Sequence, residues 1–404
     1  MNATTAVATG PLKGLRILDL STVIAGPWAS TLLADLGADV LKVEMPGTGD
    51  PLRALPPYKD GVPLWWKAAN RNKRGITLDL RREEGRELLG RMLPEHDAIV
   101  ENFRPGTLDR WNITKDWLHG INPRLIILRL TGFGQTGPYR NRPGFARVFE
   151  AMTGFTNICG EPDRPPLHLG FPVADAVGGL FGALGILSAL YHQRQNGETR
   201  GQEIDCSMME SMFRVLDFLP IEYDQLGVVR QRSGNTSQYA APGNVYKTAD
   251  GRWASIAAST QRIYERLCAA LGRADLVSDP RFATNRERVA HRAELDEILS
   301  VEIARYRIDE LDRMLEAHEV GFSPIYDIAD IFKDAHYAAR NAIVSVPDAE
   351  LGTVRMQSVV PAFSDTPCAV RQAGPSLGQH NADVFRQLGL TDAQMDGLRA
   401  AGVI

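Results

Sequence analysis

The 404-residue chain has only four cysteines, Cys159, Cys206, Cys268 and Cys368, and no two of them stand in CxxC or Cys/His ligand spacing. A disulfide framework and a thiolate metal site are thereby excluded as organising elements, and a reducing, cytoplasmic setting is the expectation. GxxxxGK[ST] follows no β-like run, so the P-loop fingerprint is missing, and HExxH is missing as well, so no catalytic metal is expected. There is no excess of basic charge: 45 Lys and Arg face 49 Asp and Glu, a formal net charge of −4. This balance excludes a nucleic-acid footprint and leaves any functional arginine to work locally. The opening "MNATTAVATGPLKG" has no basic segment followed by an apolar one, so no secretory signal is expected. The uncharged run from Ala176 to Tyr191 is shorter than the ~20 residues a bilayer needs and carries four glycines, which predicts a buried core helix rather than a membrane span.

What is present is an ordinary globular composition, 44% hydrophobic and 23% charged, in a chain long enough for two domains. "LRILDLS", "DVLKVE", "GITLDL", "DAIVENF" and "RLIILRLTGFG" read as strands, and "GPWASTLLADLGA" and "EEGRELLGRMLPE" as helices between them. This alternation predicts an α/β fold with a mostly parallel, doubly wound sheet, whose ligands bind beyond the carboxyl ends of the strands. The loops to watch are "STVIAGP", "VEMPGTGDPLR", "ENFRPG" and "TGFGQTGPYRNRPG". After the Ala176–Tyr191 helix come a strand, "RGQEIDCS", and a helix, "MMESMFRVLDFL". Residues 220–325 then change texture, with the hairpin "GNVYKTADGRWASIAAS" turning at Asp250-Gly251 and a charged helical stretch, "DPRFATNRERVAHRAELDEILSVEIARY". The expected organisation is a large domain over 1–219, a small α+β domain over 220–325, and a return to the large domain over 326–404.

Asp175 is the one acid in "LHLGFPVADAVGGLFGALGILSALYHQ", at the mouth of the apolar run. At a helix N-cap it would accept backbone N–H bonds and sit in the positive end of the helix dipole, which favours the ionised form. A carboxylate so placed serves as a plain cap, a base, a metal ligand or a covalent nucleophile that attacks a thioester to give a mixed anhydride. Gly178 and Gly179 in the first turns either admit a substrate to the backbone amides or let another helix pack closely. "NRNKRG" and "ENFRPG" place amides and cations near strand ends, as a phosphate handle or as solvated surface charge. His168 has no fixed relation to Asp175 and reads as structural.

Five motifs in order, "GLRILDLSTVIAGPWASTLLADLGADVLKVEMPGTGDPLR", "NRNKRGITLDL", "VENFRPGTLDR", "LTGFGQTGPYRNRPGF" and "VADAVGGLFGALGILSALYHQRQNGETRGQEIDCSMMESM", resemble the class III CoA-transferases, which include formyl-CoA transferase and carnitine CoA-transferase. "DPRF…NR" and "GQHN" extend the resemblance over nearly the whole chain. It implies a Rossmann-like large domain built from both chain ends, a small middle domain and an interlocked homodimer. It also implies Asp175 as the nucleophile that carries an aspartyl-CoA thioester, moving CoA from a donor such as succinyl-CoA to a small carboxylic acid without a permanently bound cofactor. CoA would lie against Ile24 and Ala25, Leu78 to Arg81, the turn Asn102, Phe103 and Arg104, and Arg110, with Arg74 as a further phosphate contact. Gly178, Gly179 and the loop at Gln238 are candidates for anhydride and acceptor contacts. Formyl-CoA transferase has glutamine where this chain has Ile24, and a glycine-rich loop where it has "SGNTSQYAAPGN", so oxalate chemistry is not expected. Met45 stands where relatives often place an arginine. The 2-methylacyl-CoA racemases of the same fold need a histidine just after the glycine of "RPGF"; here Phe145 takes that place and joins the candidate substrate contacts. A non-catalytic acyl-CoA-binding protein is the remaining alternative.

Overall fold

Runs of Ile, Leu and Val flanked by turn residues build the centre of the molecule, described by a computed structural model over residues 9–197 and 200–404. Strands β1 (Arg16–Asp19), β2 (Asp39–Glu44), β3 (Lys73–Thr77), β4 (Ala98–Glu101), β5 (Ile126–Thr131) and β6 (Glu203–Ser207) form one sheet in the order β3-β2-β1-β4-β5-β6. Every pairing in it is parallel. The result is a mixed α/β fold whose strand order reverses between β1 and β4, the position where a doubly wound sheet opens a crevice for ligand. Because successive side chains alternate faces, Ile17 enters the core under one helical layer and Leu18 the core on the other side. β4 and β5 are buried along their whole length, as strands covered on both faces must be.

Helix α1 (Ala25–Asp35) follows β1, α2 (Glu83–Met92) lies between β3 and β4, and α3 (Ala146–Met152) and α4 (Val173–Gln195) lie between β5 and β6. α4 runs past the charge-free segment to 23 residues, long and apolar enough by composition to cross a membrane. Its Ala174, Gly178, Ile186 and Ala189 are instead buried in the core beside α1 and the sheet. A Cβ on Gly179 would stand 3.0 Å from both the Ala25 carbonyl oxygen and Trp28 Cβ, so this glycine sets how closely α4 approaches α1. α5 (Met208–Arg214) stops at Arg214, short of the helix expected through Leu219, and Asp217 adopts φ 44° just beyond it.

The chain divides into two compact units: one holds the residues up to Phe155, Leu169–Ile221 and Ala338–Ile404, the other Thr156–His168 and Glu222–Tyr337. In the first, the "GQHN" segment closes the exposed edge of the sheet. The His380 amide donates to the Gly75 carbonyl, Gly75 donates to His380 Nδ1, and the Thr77 amide donates to Asn381 Oδ1. In the second, Gly243–Lys247 and Trp253–Ala257 form the expected hairpin, with Gly251 at φ 79° in its turn. The charged stretch after Asp279 forms two helices, Asn285–Ala290 and Arg292–Ile303. The chain breaks at His291, at φ −105° and ψ 29°, and Arg288 of the first helix is fully buried and donates to the carbonyls of Ala241, Phe282 and Ser259.

Candidate active site

The loop after β1 is fixed from beneath by buried charge. Asp19 accepts from the Ser21 amide, from Ser30 Oγ at 2.7 Å and from Lys73 Nζ at 2.9 Å, while Lys42 lies 3.2 Å from Asp50. Burial alone would raise the Asp19 pKa, but Lys42, Lys73 and the two serine hydroxyls outweigh it and hold the carboxyl well below the usual range. Asp50 Oδ1 takes the amide of Val23, a β-branched residue at φ 66°, a conformation costing about 1–3 kcal/mol that the surroundings must impose. Asn102, from the loop after β4, clamps Thr22 with both ends of its amide: Oδ1 accepts from the Thr22 amide at 2.7 Å and Nδ2 donates to its carbonyl at 2.8 Å. The next amide along, Phe103, is held by Glu101 at 2.8 Å, and burial pushes Glu101 up to about 7 despite Arg129 nearby.

This loop delivers the Ala25 amide, at the start of α1, to the carboxylate of Asp175. Asp175 does not cap its own helix, contrary to the expectation from its place in the sequence. It is the third residue of α4, whose N-cap position is Pro172 and bears no side-chain cap. The cap is supplied from α3 by Glu150, whose Oε1 accepts from the Val173 amide at 3.1 Å and the Ala174 amide at 3.4 Å. Asp175 is thereby freed to meet a neighbouring helix's amino terminus. Its ionisation also differs from that of an exposed cap: burial first, and the Glu150 charge second, push it up to about 6, with the Ala25 N–H pulling it part of the way back. About nine in ten copies are still carboxylate at pH 7.

Asp175 opens onto a cavity of about 490 Å³ walled by Ile24, Asn102, Phe103, Arg104 and Phe145, and also by Trp65, Thr131 and Met208. Phe145 is 79% exposed at the rim. Five of the sequence-derived candidates thus join Asp175 around one space, with Ala25 bonded to Asp175 behind it. The others are placed elsewhere. Arg74 sits near the amino end of β3, paired with Asp39 at 2.8 Å, which is the wrong end of a parallel sheet for a ligand at the strand carboxyl ends. Leu78 is buried in the core, and Arg81 is paired with Asp79 while its guanidinium reaches the Met45 sulfur at 3.4 Å. Arg110 donates to Thr107 Oγ1. Gly178 and Gly179 face Met208 and α1 in helix packing. Gln238 belongs to the second unit, where it accepts from Arg230, and His168 lies there beside Thr156. None of the four cysteines is in a disulfide. Among the described residues no cluster of His, Cys, Asp and Glu is arranged to hold a metal ion.

Sequence reasoning missed Glu150, which caps α4, and the arginines Arg140, Arg142 and Arg147 on the cavity wall. The loop that bears Arg140 and Arg142 stood out as one following a strand, while Arg147 and Glu150 lie beyond it in α3, "ARVFEAM"; the inward or outward direction of all four had no linear signature.

A succinyl-CoA–D-citramalate CoA-transferase of Chloroflexus aurantiacus is 43% identical over 396 residues, 98% of each chain. A succinate–glutarate CoA-transferase of Agrobacterium fabrum is 38% identical over 94% of this chain and 96% of its own. The crystal structure of a CAIB/BAIF family protein from Brucella suis superposes with a TM-score of 0.85 at 36% identity, over 94% of this chain and 100% of that one. The model of CoA-transferase family III matches residues 12–381, and the chain belongs to that family.

Proposed function

We propose that this CoA-transferase moves CoA from succinyl-CoA to a small dicarboxylic or hydroxydicarboxylic acid through a covalent intermediate on Asp175. The observation that carries the reading is that Asp175 is the one carboxylate among the described residues of the cavity wall, and it is held by an amide on one side while facing the cavity on the other. A carboxylate Oδ attacks the thioester carbonyl and expels CoA thiolate, leaving an aspartyl–acyl anhydride. The thiolate then attacks the aspartyl carbonyl, giving the aspartyl-CoA thioester and releasing the donor acid. The acceptor carboxylate repeats the sequence in reverse and regenerates Asp175. CoA is substrate throughout, and no resident cofactor is invoked. The activities of the relatives from Chloroflexus and Agrobacterium support a dicarboxylyl donor and acceptor. A two-base racemase reading is disfavoured because Phe145 stands on the wall and no histidine does among the described lining residues.

We read the first unit as the CoA-binding domain of a cytoplasmic homodimer. Leu180, Leu184 and Tyr191 of α4, 55%, 57% and 66% exposed, give that helix an apolar outer face that a second copy would cover.

Incubation with succinyl-CoA followed by borohydride or hydroxylamine trapping is expected to leave a modification on the peptide that carries Asp175, read by mass spectrometry. An enzyme that turns over while this peptide stays unmodified would refute the covalent role. Attack requires the carboxylate, so kcat/KM is expected to fall as pH drops through about 6, the value to which Asp175 is raised. In Glu150→Gln the amide oxygen still accepts from Val173 and Ala174 but the charge beside Asp175 is gone, so the acid limb moves to lower pH. A limb that stays in place would show that Glu150 does not act on Asp175 electrostatically. Glu150→Ala removes the cap as well and is expected to cost about 1–3 kcal/mol in urea unfolding.

A further inference from the structure

The cavity wall carries four arginines, Arg104, Arg140, Arg142 and Arg147, against the single carboxylate of Asp175. Arg140, Arg142 and Arg147 form no ion pair with any described residue, and the ionisation of Asp175 is governed by burial, Glu150 and the Ala25 amide, with no arginine contributing. Their charge is therefore not consumed by the nucleophile or by a structural acid. The segment that bears them is also held firmly. The buried ring of Phe149 lies between Gly132 and Gly144, where added Cβ atoms would stand 2.3 Å and 2.7 Å from it. From this ring an edge-to-face ladder leads outward, Phe149 to Phe133 at 5.2 Å and Phe133 to Tyr139 at 5.8 Å. The Arg142 guanidinium rests 5.4 Å from the Tyr139 ring centre, so its fork is oriented before ligand arrives.

We infer that Arg142, aided by Arg140 and Arg147, binds the distal carboxylate of a dicarboxylyl substrate, so that these residues select four- and five-carbon diacids over monocarboxylic acids of equal length. A planar guanidinium matches a carboxylate with two parallel hydrogen bonds, which a hydrocarbon terminus cannot return. The inference rests on the proposed dicarboxylyl specificity but not on the covalent step.

The test is calorimetric titration of succinyl-CoA and butyryl-CoA, four-carbon acyl groups with and without a terminal carboxylate, into Asp175→Ala protein, which removes turnover from the measurement. With Arg142 present, succinyl-CoA is expected to bind at least ~10-fold more tightly than butyryl-CoA, and in Arg142→Gln this ratio falls to below about 3. Arg142→Lys, which keeps the charge but loses the fork, gives an intermediate ratio. A parallel loss of both affinities with the ratio unchanged would assign Arg142 to the CoA phosphates and overturn the inference, and an unchanged ratio with unchanged affinities would overturn it as well. Failure to trap an aspartyl adduct in the wild-type enzyme leaves this ratio untouched, so the two readings fail separately.

Discussion

Asp175→Ala is expected to lower CoA exchange by about 10³–10⁴-fold while the protein still folds and binds CoA by calorimetry. No second carboxylate among the described lining residues stands ready to replace Asp175. Exchange within tenfold of wild type would remove Asp175 from the chemistry. The same site carries a stability cost that the isosteric Asp175→Asn exposes. The carboxyl is raised from 3.8 to about 6 in the folded protein, so folding favours its protonated form. Relative to a neutral side chain, Asp175 therefore costs nothing below about pH 4 and progressively more as pH rises through 6. A rise of that size corresponds to about 3 kcal/mol, and partial exposure of the side chain reduces this to about 1–2 kcal/mol. Asp175→Asn is expected to be more stable than wild type by that amount at pH 8 and equal to it at pH 4, in urea melts at the two pH values. A variant less stable than wild type at pH 8 would mean that the Ala25 hydrogen bond outweighs the burial, and that the site is not held under electrostatic tension.

Such tension could not be read from linear spacing. "FPVADAVGG" puts an acid near the start of a helix, and local propensity makes an N-cap the simplest reading. The helix begins three residues earlier than that reading requires, and its cap comes from Glu150, 25 positions upstream of Asp175. The parallel sheet was legible because its strands are continuous apolar runs between Gly- and Asp-rich turns, and period and length alone identify them. The strand-end loops were legible for the same reason, which is why Asn102, Phe103, Arg104 and Phe145 reach the cavity. Arg74 lies away from the cavity, which spacing does not reveal because a strand's amino and carboxyl ends look alike in sequence, and a cation beside one reads the same as a cation beside the other. Gly178 and Gly179 show a similar ambiguity: an absent Cβ suits a ligand or a neighbouring helix equally, and only the 3.0 Å approach of Ala25 and Trp28 to Gly179 decides between them.

Asp19→Ala is expected to be the most destabilising of these substitutions, although Asp19 does not line the cavity. It leaves Lys73 fully buried with only the Pro27 carbonyl and Asn70 Oδ1 for company, and Lys42 with Asp50 and the Ser21 carbonyl. An uncompensated buried ammonium costs about 3–5 kcal/mol. Asp19→Ala combined with Lys73→Met removes both charges and is expected to be less destabilised than the sum of the single variants by more than about 1 kcal/mol, as coupled sites require. Strict additivity in urea unfolding would show that the two charges do not support each other. The consequence reaches the chemistry through the backbone. Asp19 holds the Ser21 amide, Asp50 and Asn102 hold Val23 and Thr22, and the strained Val23 lets the chain turn so that the Ala25 amide meets Asp175. Loosening the loop weakens a hydrogen bond that stabilises the ionised carboxylate, so the acid limb of kcat/KM in Asp19→Ala moves to higher pH, opposite to Glu150→Gln. The sheet's buried charges thus fix not only the fold's stability but the fraction of Asp175 that is ionised at a given pH.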